Sequence, residues 1–231
     1  VRVPDVLLPV AGVDLSRWAV VACDQFTSQP DYWAEADRLV GDEPSTLRLV
    51  FPEVHLDEPD ADRRIASINE RMRAYVDGGL LRTLTRTMVL VGRTTAAGTK
   101  RWGLMLALDL DAYSWEAGSR TPIRATEGTI VDRLPPRVRI RENAVLELPP
   151  GKVLVDDPAR TVIEPLVARR HLLEQVYDTD LMLGGGHVTG WAVCKWVKPG
   201  ITVPACSSAR VTSACWNAAS DASISSMVSR T

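Results

Sequence analysis

The feature that most constrains the fold is a pair of apolar runs joined by a short polar turn. MVLVGRT (88–94) and RWGLMLALDL (101–110) flank TAAGTK (95–100), and this pattern predicts a β-hairpin. A hairpin places two antiparallel strands side by side, so it excludes a purely parallel sheet. Because helix-like and strand-like segments alternate along the rest of the chain, the sequence predicts an α/β or α+β fold with a mixed β-sheet and packed helices.

Three segments are predicted to be helices. Residues 30–40 begin with a proline that suits a first helical turn, and one face carries Trp33, Ala36 and Val40. In residues 57–79, acidic residues precede an apolar stripe and two glycines follow it; the stripe consists of Ile65, Ile68, Met72 and Tyr75 or Val76. A third helix is predicted from about Ile163 to Val176, with Pro165 in its first turn.

Short apolar runs predict further strands outside the hairpin. These runs are SRWAVVAC (16–23), STLRLVF (45–51), KVLVDDP (152–158) and HVTGWAV (187–193). Polar segments follow several of them, and ligand contacts are common where strands end in folds of this class.

The composition narrows the class of function. The 231 residues carry a formal net charge of −2 at pH 7, whereas general nucleic-acid binders are distinctly basic, so we expect a small-molecule substrate and no nucleic acid. No apolar stretch is long enough for a membrane-spanning helix, and the N-terminal residues lack the pattern of a signal peptide; we therefore expect no membrane partner and a cytoplasmic location. The four cysteines show no CxxC spacing, and Cys23 is expected to be buried and inert.

The sequence changes character near its C-terminal end. Residues 1–193 have the patterns of one globular region, whereas residues 194–231 are rich in Ser, Ala and Cys and lack helical or strand periodicity. A solvated linker of Ser and Ala would not usually carry Cys206, Cys215 and Trp216. We expect an out-of-frame or otherwise aberrant segment, with a natural mobile tail as the alternative.

The most informative polar segment is SRTPIRATEGTIVDRLPPRVRIREN (119–143), in which arginines crowd into a chain of net negative charge. Guanidinium groups match the geometry of phosphate, and threonine hydroxyls add donors. The segment therefore predicts a phosphate site around Glu127, drawing on Arg124, Thr126, Thr129, Arg133 and Arg137. The alternative for Arg137, Arg139 and Arg141 is the solvated face of a strand whose Val138 and Ile140 face the core.

A second polar segment, CDQFTSQ (23–29), follows the first predicted strand. Asp24 could act as a base or bind Mg²⁺, and Thr27 and Ser28 could form hydrogen bonds with a substrate. As a turn or a cap ahead of the helix that starts at Pro30, the same residues need no function. The sequence leaves both interpretations open.

Two further motifs suggest ligand contacts. Asp156 and Asp157 follow a predicted strand and could reach Mg²⁺, but neighbours on a strand point to opposite faces, so Asp156 is the candidate ligand. Asp157 and Pro158 also fit a turn that precedes a helix. LMLGGGH (181–187) lacks the features of a complete phosphate loop, so it predicts a tight turn into a strand, with at most backbone contacts from Gly185 and Gly186 to a substrate.

Six segments taken together carry a family resemblance. They are WAVVACDQFTSQPDYW, PSTLRLVFPEV, RWGLMLALDLDAY, IRATEGTIVDRLPPRVRIRENAVLELP, VLVDDPARTVIEPL and DTDLMLGGGHVTGW. They resemble the bacterial and archaeal family known as domain of unknown function 1015. The resemblance runs from about Asp5 to Val193 and covers about the first half of a usual member.

Family members usually continue into a Gly-Asp-Gly-Asn-His-Ser or Asp-Gly-His-His-Arg type of motif, which is similar to one in free-serine kinases related to the ParB and sulfiredoxin superfamily. The resemblance implies a small-molecule kinase that uses ATP, ADP or pyrophosphate with Mg²⁺. Arg124 and Arg133 would clamp phosphate, and Glu127 or Asp24 would be the base or a magnesium ligand. The motif is absent here, so we expect this chain to be inactive as it stands and to self-associate or form a homo-oligomer through uncovered apolar surface. The alternative is a non-catalytic phosphate- or nucleotide-binding module.

Overall fold

The fold, taken from a computed structural model, is described for residues 2–125, 131, 134–148, 150–194, 210–213 and 227–229. The α-helices in this part of the chain are Leu15–Trp18 (α1), Pro30–Val40 (α2), Ala61–Asp77 (α3), Leu134–Asn143 (α4) and Glu164–Ala168 (α5). Short 3₁₀ turns span Thr46–Leu49, Glu53–His55, Leu110–Ala112, Arg170–Leu172 and Met182–Gly184.

The strands are short except for those of one hairpin-based sheet. They are Val6–Pro9 (β1), Leu81–Leu84 (β2), Thr87–Thr94 (β3), Lys100–Met105 (β4), Tyr113–Ser114 (β5), Ile123–Ala125 (β6), Leu146–Glu147 (β7), Leu154–Asp156 (β8), Glu174–Leu181 (β9), Gly186–Cys194 (β10), Arg210–Ser213 (β11) and Met227–Ser229 (β12). Among the described residues they form three four-stranded sheets, in the orders β2-β1-β12-β7, β4-β3-β10-β9 and β5-β6-β11-β8. The third sheet contains both parallel and antiparallel pairs, so the predicted α+β class with a mixed sheet is confirmed.

The sheet β4-β3-β10-β9 is antiparallel throughout and contains the predicted hairpin. β3 pairs with β4 from Val89 opposite Met105 to Thr94 opposite Lys100, and β10 pairs with the other edge of β3. One cluster of buried residues joins this sheet to α2 and to the segment Ala19–Cys23, and includes Val89, Tyr177 and Val188. Another cluster joins Leu90 and Val193 of the sheet to Leu166 of α5. The sheet is therefore covered by apolar contacts on both faces.

The two best-defined helices form as their sequence patterns predict. α2 starts at Pro30, and its buried residues are Trp33, Ala36 and Val40. α3 ends where the Gly78 N–H donates to the Ala74 carbonyl at 2.9 Å. Its buried stripe packs on α4, β1 and the first 3₁₀ turn and includes Ile65, Ile68, Met72 and Tyr75, whereas Val76 is exposed.

The predicted strand over residues 16–23 is wrong. The Asp14 side chain accepts a hydrogen bond from the Ser16 N–H at 2.9 Å, and this N-cap starts the short helix α1. In the segment Ala19–Cys23 all residues except Ala22 are buried, but the segment pairs with no neighbouring strand in the described part of the chain. Burial, rather than β-pairing, is what the apolar run indicated.

The predicted strand over residues 45–51 is also wrong. The Ser45 hydroxyl accepts a hydrogen bond from the Leu47 N–H at 3.2 Å, and Thr46 Oγ1 donates to the Trp18 carbonyl at 2.7 Å. Hydroxyl groups that bond the backbone locally compete with strand ladders. The chain therefore turns in 3₁₀ form here while it keeps its apolar residues buried.

The alternative interpretation of Arg137, Arg139 and Arg141 as a strand face is wrong, because these residues lie on the helix α4. Their guanidinium groups contact the carboxylates of Glu53, Asp62 and Glu147, respectively. These partners are distant in sequence or follow the helix, so alternation alone could not identify them.

The helix predicted from about Ile163 to Val176 is much shorter than expected. α5 ends at Ala168, and a 3₁₀ turn leads into β9 at Glu174. Burial alternates along the second half of β9, and β9 pairs with β10. The segment therefore forms a strand despite its helical sequence pattern. The predicted strands over 152–158 and 187–193 are confirmed as β8 and β10.

Of the segment 194–231, the structure describes β11, β12 and the backbone of Cys194. β11 pairs with β6 and β8, and β12 pairs with β1 and β7. The rest of the segment lies outside the described residues, and its assignment to an aberrant reading frame stays a prediction.

Candidate functional site

Asp24 lies at the corner where the buried segment Ala19–Cys23 reaches the surface. The carbonyl of the preceding Cys23 accepts a hydrogen bond from the Glu53 N–H at 2.8 Å. The Asp24 side chain is half-buried, and its Oδ1 atom is shielded from solvent without a hydrogen-bond partner among the described residues. A buried carboxylate oxygen without a partner is costly in a purely structural role.

Two charged residues from elsewhere in the chain complete this corner. Glu53, in the 3₁₀ turn Glu53–His55, has only 5% of its side chain exposed and forms an ion pair with Arg137 of α4. Both charges act on Asp24. We call Asp24, Glu53 and Arg137 the acidic corner, because it contains two carboxylates and one guanidinium group.

The electrostatics of the acidic corner favour protonation of Asp24. Burial raises the pKa of Asp24 and the Glu53 charge raises it further, while hydrogen bonds and Arg137 lower it; the net shift is upward. Burial also raises the pKa of the Cys23 thiol to about 12, with the Asp24 charge as the next cause. Cys23 is therefore buried and inert, as predicted, whereas Asp24 has the raised pKa of a candidate general base.

The arginine-rich segment contributes to a separate pocket. A cavity of about 430 Å³ is lined by Gly118, Ser119, Arg120 and Arg124, and we call it the arginine pocket. Arg124 belongs to β6, whose backbone is paired with β5 at Ser114, and its Nη1 donates to the Ser119 carbonyl at 3.4 Å. The Ser119 hydroxyl accepts from the Thr121 N–H at 3.2 Å. The pocket is thus lined by two arginine residues and a hydroxyl-stabilised turn.

The other predicted phosphate-site residues fall into two groups. Arg137 lies in the acidic corner, paired with Glu53. Thr126, Glu127, Thr129 and Arg133 lie outside the described residues. The structure therefore brings Asp24 and Arg137 together, and places Arg124 in the arginine pocket.

The glycine-rich motif forms the predicted tight turn between β9 and β10. Gly186 has a φ of +95°, and a Cβ atom at this position would overlap the Thr94 carbonyl oxygen. The Gly185 carbonyl accepts a hydrogen bond at 2.9 Å from Nη2 of Arg93, which is only 6% exposed. Close packing accounts for both glycines, and their contact with a substrate stays a prediction.

The loop after Asp24 ends beside the glycine-rich turn. Phe26 adopts a left-handed backbone with φ of +53° and stacks on Tyr32 with ring centroids 3.9 Å apart. Burial raises the pKa of the Tyr32 hydroxyl, and the nearby Arg93 lowers it less. Thr27 and Ser28 are exposed, so they are accessible to a ligand.

The predicted metal ligand Asp156 is exposed at the end of β8. Its neighbour Asp157 has a turn role, because its Oδ2 accepts from the N–H groups of Thr161 and Val162 at 2.6 and 2.8 Å. In the described ranges, no group of three or more His, Cys, Asp or Glu side chains could hold a metal ion. Mg²⁺ commonly binds through one or two carboxylates plus substrate phosphates, so Asp156 as a ligand stays a prediction.

Two buried charges escaped the sequence interpretation. Glu53 lies in the run VFPEV and Arg93 in MVLVGRT. A lone charge inside an apolar run was the available signal, because Glu and Arg are almost never fully buried unless they are paired.

The fold and these sites define an α+β protein with an arginine-lined pocket and a partly buried acid cluster. Residues 7–196 match the family described as "Protein of unknown function (DUF1015)", and the chain belongs to that family. No curated protein and no solved structure matches it. Within the described ranges, none of the helices has the length and apolar character needed to span a membrane.

Proposed function

We propose that this protein binds a phosphate-bearing small molecule in the arginine pocket. The observation that carries the proposal is the presence of Arg120 and Arg124 in one cavity with Ser119. Guanidinium groups donate to phosphate oxygens in pairs, and backbone and hydroxyl donors commonly complete such sites. The volume of about 430 Å³ exceeds what a single inorganic phosphate needs and falls in the range of small-molecule sites.

Thermal unfolding with added ligand tests this proposal. Pyrophosphate, ADP and ATP, each with and without Mg²⁺, should raise the Tm of the wild-type protein, because a ligand that binds only the folded state stabilises it. Arg124→Ala should abolish the increase, and Arg124→Lys should restore part of it because charge without the planar fork binds less well. Arg71→Ala, an exposed arginine on α3, is the matched control. An increase that survives in Arg124→Ala would exclude the arginine pocket as the site.

A second function, phosphoryl transfer to a hydroxyl group such as that of serine, is supported by Asp24. Its half-buried carboxylate has a solvent-shielded oxygen without a described partner and a raised pKa. In this reaction Asp24 would take the proton of the acceptor hydroxyl as its oxygen bonds to phosphorus. The bond from phosphorus to the donor oxygen would break, and the donor would leave with that electron pair. ATP, ADP or pyrophosphate would be the donor, with Mg²⁺ on its phosphates.

The transfer reaction is tested on this chain and on a version translated in the alternative frame past Val193. With serine and each donor, we expect phosphoserine only from the reframed version, and its Asp24→Asn variant should lose the activity. Absence of product from the reframed version would refute phosphoryl transfer to serine. Phosphate binding in the arginine pocket would still be judged by the thermal assay.

A further inference from the structure

Glu53 connects the two other elements of the acidic corner. Its backbone N–H donates to the Cys23 carbonyl at 2.8 Å, immediately before Asp24. Its carboxylate contacts Arg137 on α4. We propose that Glu53 is a positioning residue, which binds the guanidinium group of Arg137 so that Asp24 Oδ1, shielded from solvent, keeps no hydrogen-bond partner and the carboxylate stays available as a base. The inference rests on the role of Asp24 proposed above.

The burial of Glu53 distinguishes it from the other acids that pair with α4. Glu53 has 5% of its side chain exposed, whereas Asp62, the partner of Arg139, has 80% exposed. A surface pair of the second kind contributes little to stability, but a buried carboxylate is tolerated only when it is paired. The pair Glu53–Arg137 is therefore specific to this corner rather than one more surface contact of an arginine-rich helix.

The charge balance of the corner explains how Glu53 would act on Asp24. The guanidinium group of Arg137 is engaged with Glu53, so it compensates Asp24 incompletely. Without the Glu53 charge, Arg137 would be available to Asp24 and would bind its carboxylate. Glu53 thus keeps Arg137 away from Asp24 and keeps the corner more negative than one carboxylate and one arginine would be.

A double-mutant cycle on the purified full chain tests this arrangement without any ligand. We expect Asp24→Asn to favour folding at neutral pH, because it removes a poorly compensated charge. In the Glu53→Gln background this gain should shrink or reverse, because Arg137 then stabilises ionised Asp24. The coupling should be about fivefold or more in the folding equilibrium constant, within the range for residues of one charge network.

Asp62→Asn provides the matched control on the same helix. Its effect should combine with that of Asp24→Asn to within about twofold, as for independent sites. If Glu53→Gln folds too poorly to measure, Arg137→Gln replaces it, and the coupling with Asp24→Asn should then have the opposite sign. A merely structural role for the pair would not reverse the sign between its two ends. Additivity within about twofold for Glu53→Gln, or coupling of the same sign for both variants, would overturn the proposal.

The cycle and the ligand assays separate this inference from the proposed function. Pyrophosphate should stabilise Glu53→Gln as it stabilises the wild type, because Glu53 does not line the arginine pocket. Loss of coupling with retained pyrophosphate stabilisation would refute the positioning role alone. Retained coupling without pyrophosphate stabilisation would refute phosphate binding alone.

Discussion

Alkaline pH should destabilise this fold through one buried thiol. Cys23 is 8% exposed, and burial raises its pKa from the ordinary 9.0 to about 12. Because the pKa of the folded state lies above that of the unfolded state, the stabilising contribution is complete below about pH 9 and is lost as the pH rises toward 12. Each pH unit in this window costs about 1.4 kcal/mol, so the total loss is about 4 kcal/mol.

Urea unfolding of the wild type and of Cys23→Ala measures this loss. Alanine removes the titrating group and leaves a small cavity whose cost does not depend on pH. Between about pH 7.5 and about pH 10.5, the free energy of unfolding of the wild type should fall by about 2 kcal/mol more than that of the variant. All other titrating groups, the remaining cysteines included, are shared by both proteins and cancel in the comparison. Parallel pH dependences would show that the thiol is not held in the unionised form by burial, and the reasoning would fail.

Three further substitutions have expected signs that follow from the structure. Asp24→Asn should raise Tm near neutral pH and lose this effect below about pH 4, because a raised folded-state pKa destabilises only when the carboxyl is ionised. Asp14→Ala should cost about 1 kcal/mol as a lost N-cap. Because the hydrogen bond from the Ser16 hydroxyl is the main cause that lowers the pKa of Asp14, this cost should shrink as the pH falls through that pKa. Equal Tm differences at acid and neutral pH would contradict it. Gly190→Ala should destabilise the fold by about 2 kcal/mol or more in urea unfolding, because its Cβ would overlap the buried Tyr177 ring; an unchanged urea midpoint would refute that packing.

Sequence patterns predicted those elements whose cause is local. α2 follows from a proline at its start and one apolar face, α3 from an apolar stripe closed by glycines, and the hairpin β3–β4 from two apolar runs around a polar turn. The failures share a different cause. Hydrogen bonds from Ser45 and Thr46 turned one apolar run into a 3₁₀ turn, and the N-cap Asp14 made a helix from the start of another. Apolar runs predict burial well, but in these two segments local side-chain hydrogen bonds determine the backbone conformation.

The sequence predicted the acidic corner only in part. Asp24 was predicted as a site residue because it follows an apolar run, and the structure places it at the end of that buried segment although the segment is not a strand. Its role stays a prediction. Glu53 could not be paired with Asp24 from the sequence, because their proximity depends on the path of the chain between them. Its partner Arg137 is 84 positions away and was predicted to bind phosphate. Only the tertiary structure shows that a protein carboxylate already occupies that guanidinium group.

The arginines of the segment 119–143 therefore fall into two groups with different surroundings. Arg137, Arg139 and Arg141 contact Glu53, Asp62 and Glu147, so their positive charge is largely offset within the protein. Arg120 and Arg124 instead line a cavity. Substitutions on α4 should consequently appear first in stability, whereas substitutions of Arg120 and Arg124 should appear first in ligand binding. The pocket and the acidic corner both fall within residues 7–196, which match the family, so both belong to the part of the chain that the family shares.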